Sequence, residues 1–229
     1  MNRMPVNIDT VSLVAKALGN LKDQMVFVGG AVVALYADTV ADMELRETDD
    51  IDLTSVELID YNKYSKLLEK LAQLGFHPDP EGHAICSLKF KGISVDIMPS
   101  EDGPLGPANK WYSLGFDDLW TTLAGEEKIN ILSSPCYLAT KFEAFNDRGK
   151  DYRTSHDFED IIFVLDNRKT LVDEIKQSRS EIKSFLKREF IKINESKYRD
   201  EFLSVHLDPY IKGERFAILL EKVQQIVNM

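Results

Sequence analysis

Cysteine is scarce in this chain, which has only two cysteines among 229 residues, Cys86 and Cys136. Two cysteines cannot build a disulfide framework or a zinc site made of cysteines alone. Both lie in apolar segments, which predicts buried free thiols. The four histidines show no metal-ligand spacing, and no Ser/His/Asp or Cys/His arrangement indicates a nucleophilic enzyme.

Long hydrophobic runs are also missing. The most apolar stretch, residues 26–37, is interrupted by Gly29 and Gly30 and is far shorter than the ~20 residues of a membrane-spanning helix. The first five residues lead into a polar segment and not into the apolar core of a signal peptide. We therefore expect a cytoplasmic protein with no membrane partner.

Positive charge is in deficit, because 28 Lys and Arg face 38 Asp and Glu, for a net charge of −10. This balance excludes a generally basic nucleic-acid coat. Residues 169–199 are an exception, with nine basic and five acidic residues, a net of +4. Here a single predicted helix would carry one basic face, formed by Lys169, Lys176, Arg179, Lys183 and Lys187. Such a face suits an RNA acceptor such as tRNA; the alternative is the ordinary solvated face of an amphipathic helix.

Hydrophobic patterning predicts an α+β organisation, in which short strands and helices come first and a C-terminal helical region follows. Residues 25–28, 51–56, 84–90, 93–98 and 129–132 are predicted strands, and Lys91-Gly92 predicts a hairpin between two of them. Asp9 or Thr10 is expected to cap the first helix, and Asp60 a later one. A helix is also predicted over residues 31–37. After residue 132 only helical patterns occur.

Paired carboxylates are the most informative feature of the sequence. In Thr48-Asp49-Asp50-Ile51-Asp52-Leu53, alternation along a strand places Asp50 and Asp52 on one face. Like charges on one face repel each other, and Mg²⁺ bound to their oxygens would offset that cost. The alternative is an exposed acidic turn. Asp96, in a later strand, would add a third ligand and make a two-metal site plausible, or it would serve as an edge-strand charge.

A glycine pair, Gly29-Gly30, follows the first predicted strand and precedes a predicted helix. Glycines let backbone N–H groups approach a phosphate, and the start of a helix favours an anion. The alternative is an ordinary strand–turn–helix corner. The segment is neither a P-loop nor a Gly-x-Gly-x-x-Gly fingerprint.

Taken in order, these motifs resemble those of the nucleotidyltransferase superfamily with the DNA polymerase β-type fold. The resemblance implies that Gly29 and Gly30 hold an NTP substrate and that Asp50 and Asp52 bind Mg²⁺ or Mn²⁺. Asp96 would complete the metal site and help to activate the attacking hydroxyl. The fold that the resemblance implies is a small mixed sheet with flanking helices followed by a C-terminal helical region. Residues 1–132 would then form the catalytic domain, and residues 133–229 a helical domain that completes the nucleotide site.

Two further segments resemble the AbiEii-like branch, which includes toxins of type IV toxin–antitoxin systems. Arg46 precedes the acidic pair, and a Leu-Ala-x-Lys helix core containing Lys141 is followed by an arginine and an Asp-x-x-Asp segment. By this resemblance Lys141 contacts the triphosphate and Asp157 supports the site, with Asp160 as the competing candidate. From the residues alone, Lys141 is better interpreted as a solvent-exposed lysine on an amphipathic helix, and Asp157 as a helix cap.

The resemblance covers roughly residues 26–165 and departs from the family in two places. Ala31 follows the second glycine where many relatives have Ser or Thr, and the spacing between Gly30 and Asp50 suggests an insertion around residues 38–44. The implied function is Mg²⁺-dependent nucleotidyl transfer to tRNA or a protein partner, with a possible cognate antitoxin. The alternatives are an antibiotic-type small-molecule nucleotidyltransferase and a non-catalytic nucleotide-binding module.

Overall fold

The structure is a computed structural model that describes residues 6–38, 48–55, 61–82, 86–103, 105–148, 151–207 and 212–229. Internal packing divides the chain into two compact units. The sheet unit comprises residues 1–35 and 40–133, and the helical unit comprises residues 36–39 and 134–229. No helix within the described residues is long and apolar enough to cross a membrane.

The sheet unit contains the strands β1 (Met25–Val28), β2 (Asp50–Ser55), β3 (His77–Pro78), β4 (Ser87–Phe90), β5 (Ile93–Pro99), β6 (Leu119–Ala124) and β7 (Glu127–Leu132). Its helices are α1 (Ile8–Leu18), α2 (Tyr61–Gln73) and α3 (Trp111–Gly115), with 3-10 turns at Gly19–Gln24 and Phe116–Asp118. A further 3-10 helix, Gly30–Tyr36, follows β1.

The seven strands form one mixed sheet in the order β3-β4-β5-β2-β1-β7-β6. β2 pairs in parallel with β5, and β1 pairs in parallel with β7, while the remaining neighbours are antiparallel. The interior strand β1 is buried along its whole length. Buried and half-buried residues alternate along β5 and along the first four residues of β2, so one face of these segments lies on the core and the other is partly open. The expected α+β fold is confirmed.

The helical unit contains α4 (Ser134–Arg148), α5 (His156–Asn167), α6 (Leu171–Gln177), α7 (Ser180–Asn194), α8 (Arg199–Ser204) and α9 (Lys212–Val227). Lys222 of α9 is buried, and its ammonium donates to the carbonyl oxygens of Leu165 at 2.5 Å and Arg168 at 3.0 Å. These carbonyls are at the end of α5, where a helix leaves its last acceptors without partners in its own backbone. Lys222 therefore fixes the end of α5 to α9.

Several local expectations differ from the structure. The first helix is capped by Asn7, not by Asp9 or Thr10: the Asn7 side chain accepts from the Thr10 N–H at 3.0 Å, and the Thr10 hydroxyl accepts from the Asn7 N–H at 2.7 Å. This reciprocal pair satisfies two N–H groups at the helix start. The segment after Gly29 is a 3-10 helix and not an α-helix. Asp60, expected to cap α2, lies outside the described residues.

Candidate active site

The sheet brings the three predicted carboxylates to one face. Asp50 and Asp52 alternate with the buried Ile51 and Leu53 along β2. The parallel register sets Asp52 opposite Asp96 of β5, and residues in register on neighbouring strands project to the same side. One carboxylate oxygen from each of Asp50, Asp52 and Asp96 lies within 4.8 Å of the others, and all three residues are half-buried.

Gly29 is required by the position of Asp52. Its φ of +73° lies in the left-handed region, which glycine adopts without steric cost. A Cβ at this position would lie 2.0 Å from Asp52 Oδ2 and 2.9 Å from Asp52 Cβ. β1 and β2 pair Val28 with Asp52, so the next residue, Gly29, lies against the Asp52 side chain. Any residue other than glycine at this position would displace that side chain.

The sequence pattern did not indicate that Cys86 and Tyr64 lie near the three carboxylates. Burial, and then the charges of Asp96 and Asp52, raise the pKa of the Cys86 thiol. Burial, and then interactions with Cys86 and Asp96, raise the pKa of Tyr64 to about 12. Both groups therefore stay neutral at physiological pH. The position of Cys86 could have been predicted from the hairpin, because the next residue, Ser87, lies opposite Asp96.

The donor set fits a hard divalent cation. Two like charges about 4 Å apart repel by about 1 kcal/mol in water and about 4 kcal/mol near a protein surface, and three carboxylates within 4.8 Å multiply that cost. Carboxylate oxygens are the ligands that Mg²⁺ and Mn²⁺ prefer. Asp50, Asp52 and Asp96 could therefore hold such an ion, and their role as ligands stays a prediction.

Lys141, in the helical unit, is not a solvent-exposed lysine. Its side chain is 7% exposed, and its Nζ lies 2.6 Å from Asp160 Oδ2 and 3.3 Å from Asp157 Oδ1. Asp160 is the more buried partner, with 1% of its side chain exposed against 13% for Asp157. Arg148 approaches Asp157 at 3.5 Å. The structure thus groups the predicted lysine with both competing acids, and a part for Lys141 in phosphate binding stays a prediction.

Asp157 is not the cap of α5, because the N-cap is Ser155, whose hydroxyl accepts from the Phe158 N–H at 3.3 Å. Asp157 and Glu159 instead lie in the first helical turn, where negative charge is favoured by the helix dipole. The acid is thereby left to pair with Lys141 and Arg148. Arg46 and residues 39–47 around it lie outside the described residues.

The predicted basic helix is two helices. α6 ends at Gln177, and Ser178 and Arg179 are extended with ψ values of 166° and 145° before α7 begins. The Ser178 hydroxyl donates to the Ile175 carbonyl at 2.8 Å, a local bond that competes with continuation of a helix. The predicted apolar face is buried throughout, at Leu171, Ile175, Ile182, Leu186 and Ile193.

Comparison with protein-family models gives a match over residues 12–216 to the family described as "Nucleotidyl transferase AbiEii toxin, Type IV TA system". Comparison with curated protein sequences gives no match. Among solved structures, the chain is similar to an antigenic nucleotidyltransferase-like protein from Paracoccidioides brasiliensis, with a TM-score of 0.51 and 17% identity over 92% of this chain and 100% of that one. This likeness concerns the fold.

A second solved structure, that of the antibiotic-resistance factor ANT(2'')-Ia, matches with a TM-score of 0.46 and 15% identity. It covers 81% of this chain and 95% of that one. A likeness of this degree does not bear on the substrate of the present chain.

Proposed function

The chain belongs to the AbiEii family of nucleotidyl transferases, and from that membership we propose that it transfers a nucleoside monophosphate from an NTP to a hydroxyl acceptor with Mg²⁺ or Mn²⁺. The observation that carries the proposal is the convergence of Asp50, Asp52 and Asp96 within 4.8 Å on one sheet face. A purely regulatory nucleotide-binding module has no physical need for three carboxylates so close together.

The acidic residues of the sheet unit would have distinct roles in this reaction. Asp50 and Asp52 would hold the metal, which when bound neutralises triphosphate charge and lowers the pKa of the acceptor hydroxyl. Asp96, in register with Asp52, would complete the ligand set and help to remove the hydroxyl proton. The acceptor oxygen then forms a bond to the α-phosphorus, the bond from that phosphorus to the bridging oxygen breaks, and pyrophosphate leaves.

The backbone at Gly29 and Gly30 would bind the triphosphate, since residues without side chains let the main chain approach phosphate oxygens closely. Lys141 would offset phosphate charge, and its bonds to Asp160 and Asp157 would orient its ammonium. Positioning and electrostatic stabilisation supply most of the catalysis in phosphoryl transfer. No covalent step with the protein is needed.

For the acceptor we propose RNA, such as tRNA, and for a protein partner a cognate antitoxin, as the family description suggests. The support for RNA is the basic segment 169–199, with a net charge of +4 in a chain whose total is −10. Phosphate backbones attract such local excesses of lysine.

The test is an incubation of the purified protein with each α-labelled NTP, Mg²⁺ and total tRNA. Asp52→Asn removes a ligand charge with little change of shape, and Asp23→Asn, at an exposed position of the sheet unit, is the matched control. We expect label on RNA with the parent chain and the control. We expect at least a 100-fold loss with Asp52→Asn, because even groups that only orient metal ligands cost 10–100-fold.

Transfer that survives Asp52→Asn would refute the carboxylate site. Metal-dependent NTP binding without labelled RNA would retain the site and redirect the search to protein or small-molecule acceptors.

A further inference from the structure

Three lysines line an open groove on the surface of the helical unit. One part, of about 370 Å³, is lined by Lys176, Lys183, Ser184, Lys187 and Met229. A second shallow part of about 460 Å³ shares Lys176 and Met229 with it. Three of the five predicted basic residues therefore still line one surface, although α6 and α7 are separate helices.

The three lysines are held in position by their own contacts. Lys183 donates to the Lys176 carbonyl oxygen at 3.1 Å, Lys187 donates to the main-chain oxygen of Met229, and Lys176 contacts the exposed Asp173 at 3.3 Å. Each ammonium has three N–H donors, so one such bond does not exhaust its capacity. Lys183 and Lys187 are half-buried and four positions apart along α7, which places both on the same face.

The other part of the groove is lined by neutral polar groups from the end of the chain, Gln224, Gln225 and Asn228, and by one acid, Glu221. The Gln225 amide donates to Glu221 at 3.0 Å. Lysines beside amide and hydroxyl groups suit a ligand with regularly repeated anions and adjacent hydrogen-bonding groups, which is the chemistry of a nucleic-acid strand.

We propose that this groove binds the phosphate backbone of the RNA acceptor, with Lys176, Lys183 and Lys187 each neutralising a phosphate. The proposal rests on the proposed function for the identity of the acceptor. The groove would contribute affinity and orientation, and not sequence specificity, because contacts to phosphate carry no direct sequence information.

The test measures binding of labelled total tRNA by fluorescence anisotropy, at fixed Mg²⁺ and without NTP, from 50 to 200 mM salt. The variant combines Lys176→Glu, Lys183→Glu and Lys187→Glu, and a second variant replaces the same lysines by Gln in case charge reversal disturbs folding. The matched control makes three Lys→Glu changes at exposed positions of the sheet unit, Lys16, Lys91 and Lys128. Control and charge-reversal variant both move the net charge from −10 to −16.

We expect the groove variants to lose RNA affinity by about tenfold or more at low salt. The slope of log affinity against log salt should become shallower by about 2–3, since each of three phosphate contacts contributes about 0.7 for a single strand and about 0.9 for a duplex. The control should retain the parent slope. Unchanged affinity and slope in both groove variants, or no RNA binding by the parent chain, would overturn the proposal.

Transfer assays on the same preparations separate the two proposals. RNA binding by the parent chain that depends on the groove, without transfer to any acceptor, would leave the groove in place and contradict nucleotidyl transfer. Transfer to RNA that is equally efficient in the parent chain and both groove variants would contradict the groove alone.

Discussion

Replacing Gly29 by alanine tests the geometry of the carboxylate site at a residue that supplies no ligand. The added Cβ would lie 2.0 Å from Asp52 Oδ2, so the carboxylate must move away from its place near Asp50 and Asp96. The positive φ of +73° adds a backbone cost of about 1–2 kcal/mol. We therefore expect Gly29→Ala to fold with reduced stability and to lose metal binding and transfer.

Gly92→Ala is the matched control. Gly92 has a similar φ of +87°, but a Cβ there would meet nothing within 4 Å. Both variants should therefore lose about 1–2 kcal/mol of backbone origin. For a chain of this size that loss lowers Tm by about 2–8 °C.

The assay is thermal unfolding with and without Mg²⁺ or Mn²⁺. A ligand at 100 times its Kd stabilises the folded state by about 2.7 kcal/mol, which corresponds to an increase of about 5–11 °C in Tm. The parent chain and Gly92→Ala should show this increase, and Gly29→Ala should not. A parent-like metal response and parent-like transfer in Gly29→Ala would refute the inference that Asp52 must lie against Gly29.

Two further predictions concern the helical unit. Asp160→Asn should lower the free energy of unfolding by about 3 kcal/mol, because it removes the charge of the closest partner of the buried Lys141. Asp157→Asn should lower it clearly less. Equal losses in denaturant titrations would contradict the inference that Asp160 is the more buried and stronger partner. Glu174 is bound by Arg168 at 2.6 Å; burial alone would raise its pKa, but hydrogen bonds from Arg168 and two hydroxyls outweigh burial and lower it. The ionised Glu174 should therefore stabilise the fold by about 2 kcal/mol above pH ~4.3, and this stabilisation should be lost as pH falls through the folded pKa. The difference in unfolding free energy between the parent chain and Glu174→Gln should accordingly shrink on acidification. A difference that stays constant would contradict this assignment.

The face that carries the acids was predictable because strand alternation is a local property. Asp50 and Asp52 had to project together once Ile51 and Leu53 were assigned to the core. That Asp96 lies beside Asp52 is set by the parallel pairing of β2 with β5, which joins distant segments. The family resemblance supplied this pairing in advance, and the residues alone did not.

Local competition accounts for the expectations that were wrong. Ser155, two residues before Asp157, takes the capping position, and a sequence with several capping residues in succession does not say which one starts the helix. The break at Ser178 is likewise decided by a hydroxyl–carbonyl bond within a continuous apolar pattern. The strand β6 was missed, although Thr121 and Thr122 favour strand structure and its turn to β7 contains Gly125 at a φ of +59°.

The pairing of β1 with both β2 and β7 has a consequence for synthesis of the chain. Val28 finds its partner on β2 soon after it leaves the ribosome, but Phe27 is opposite Ile131, about 100 residues later, a delay of about 5–20 s at ordinary elongation rates. During that interval one edge of a fully apolar strand, Met25–Val28, lacks its neighbour, and unpaired edges invite association with other chains. Nascent chains that end before β7 should therefore be the species most dependent on chaperones.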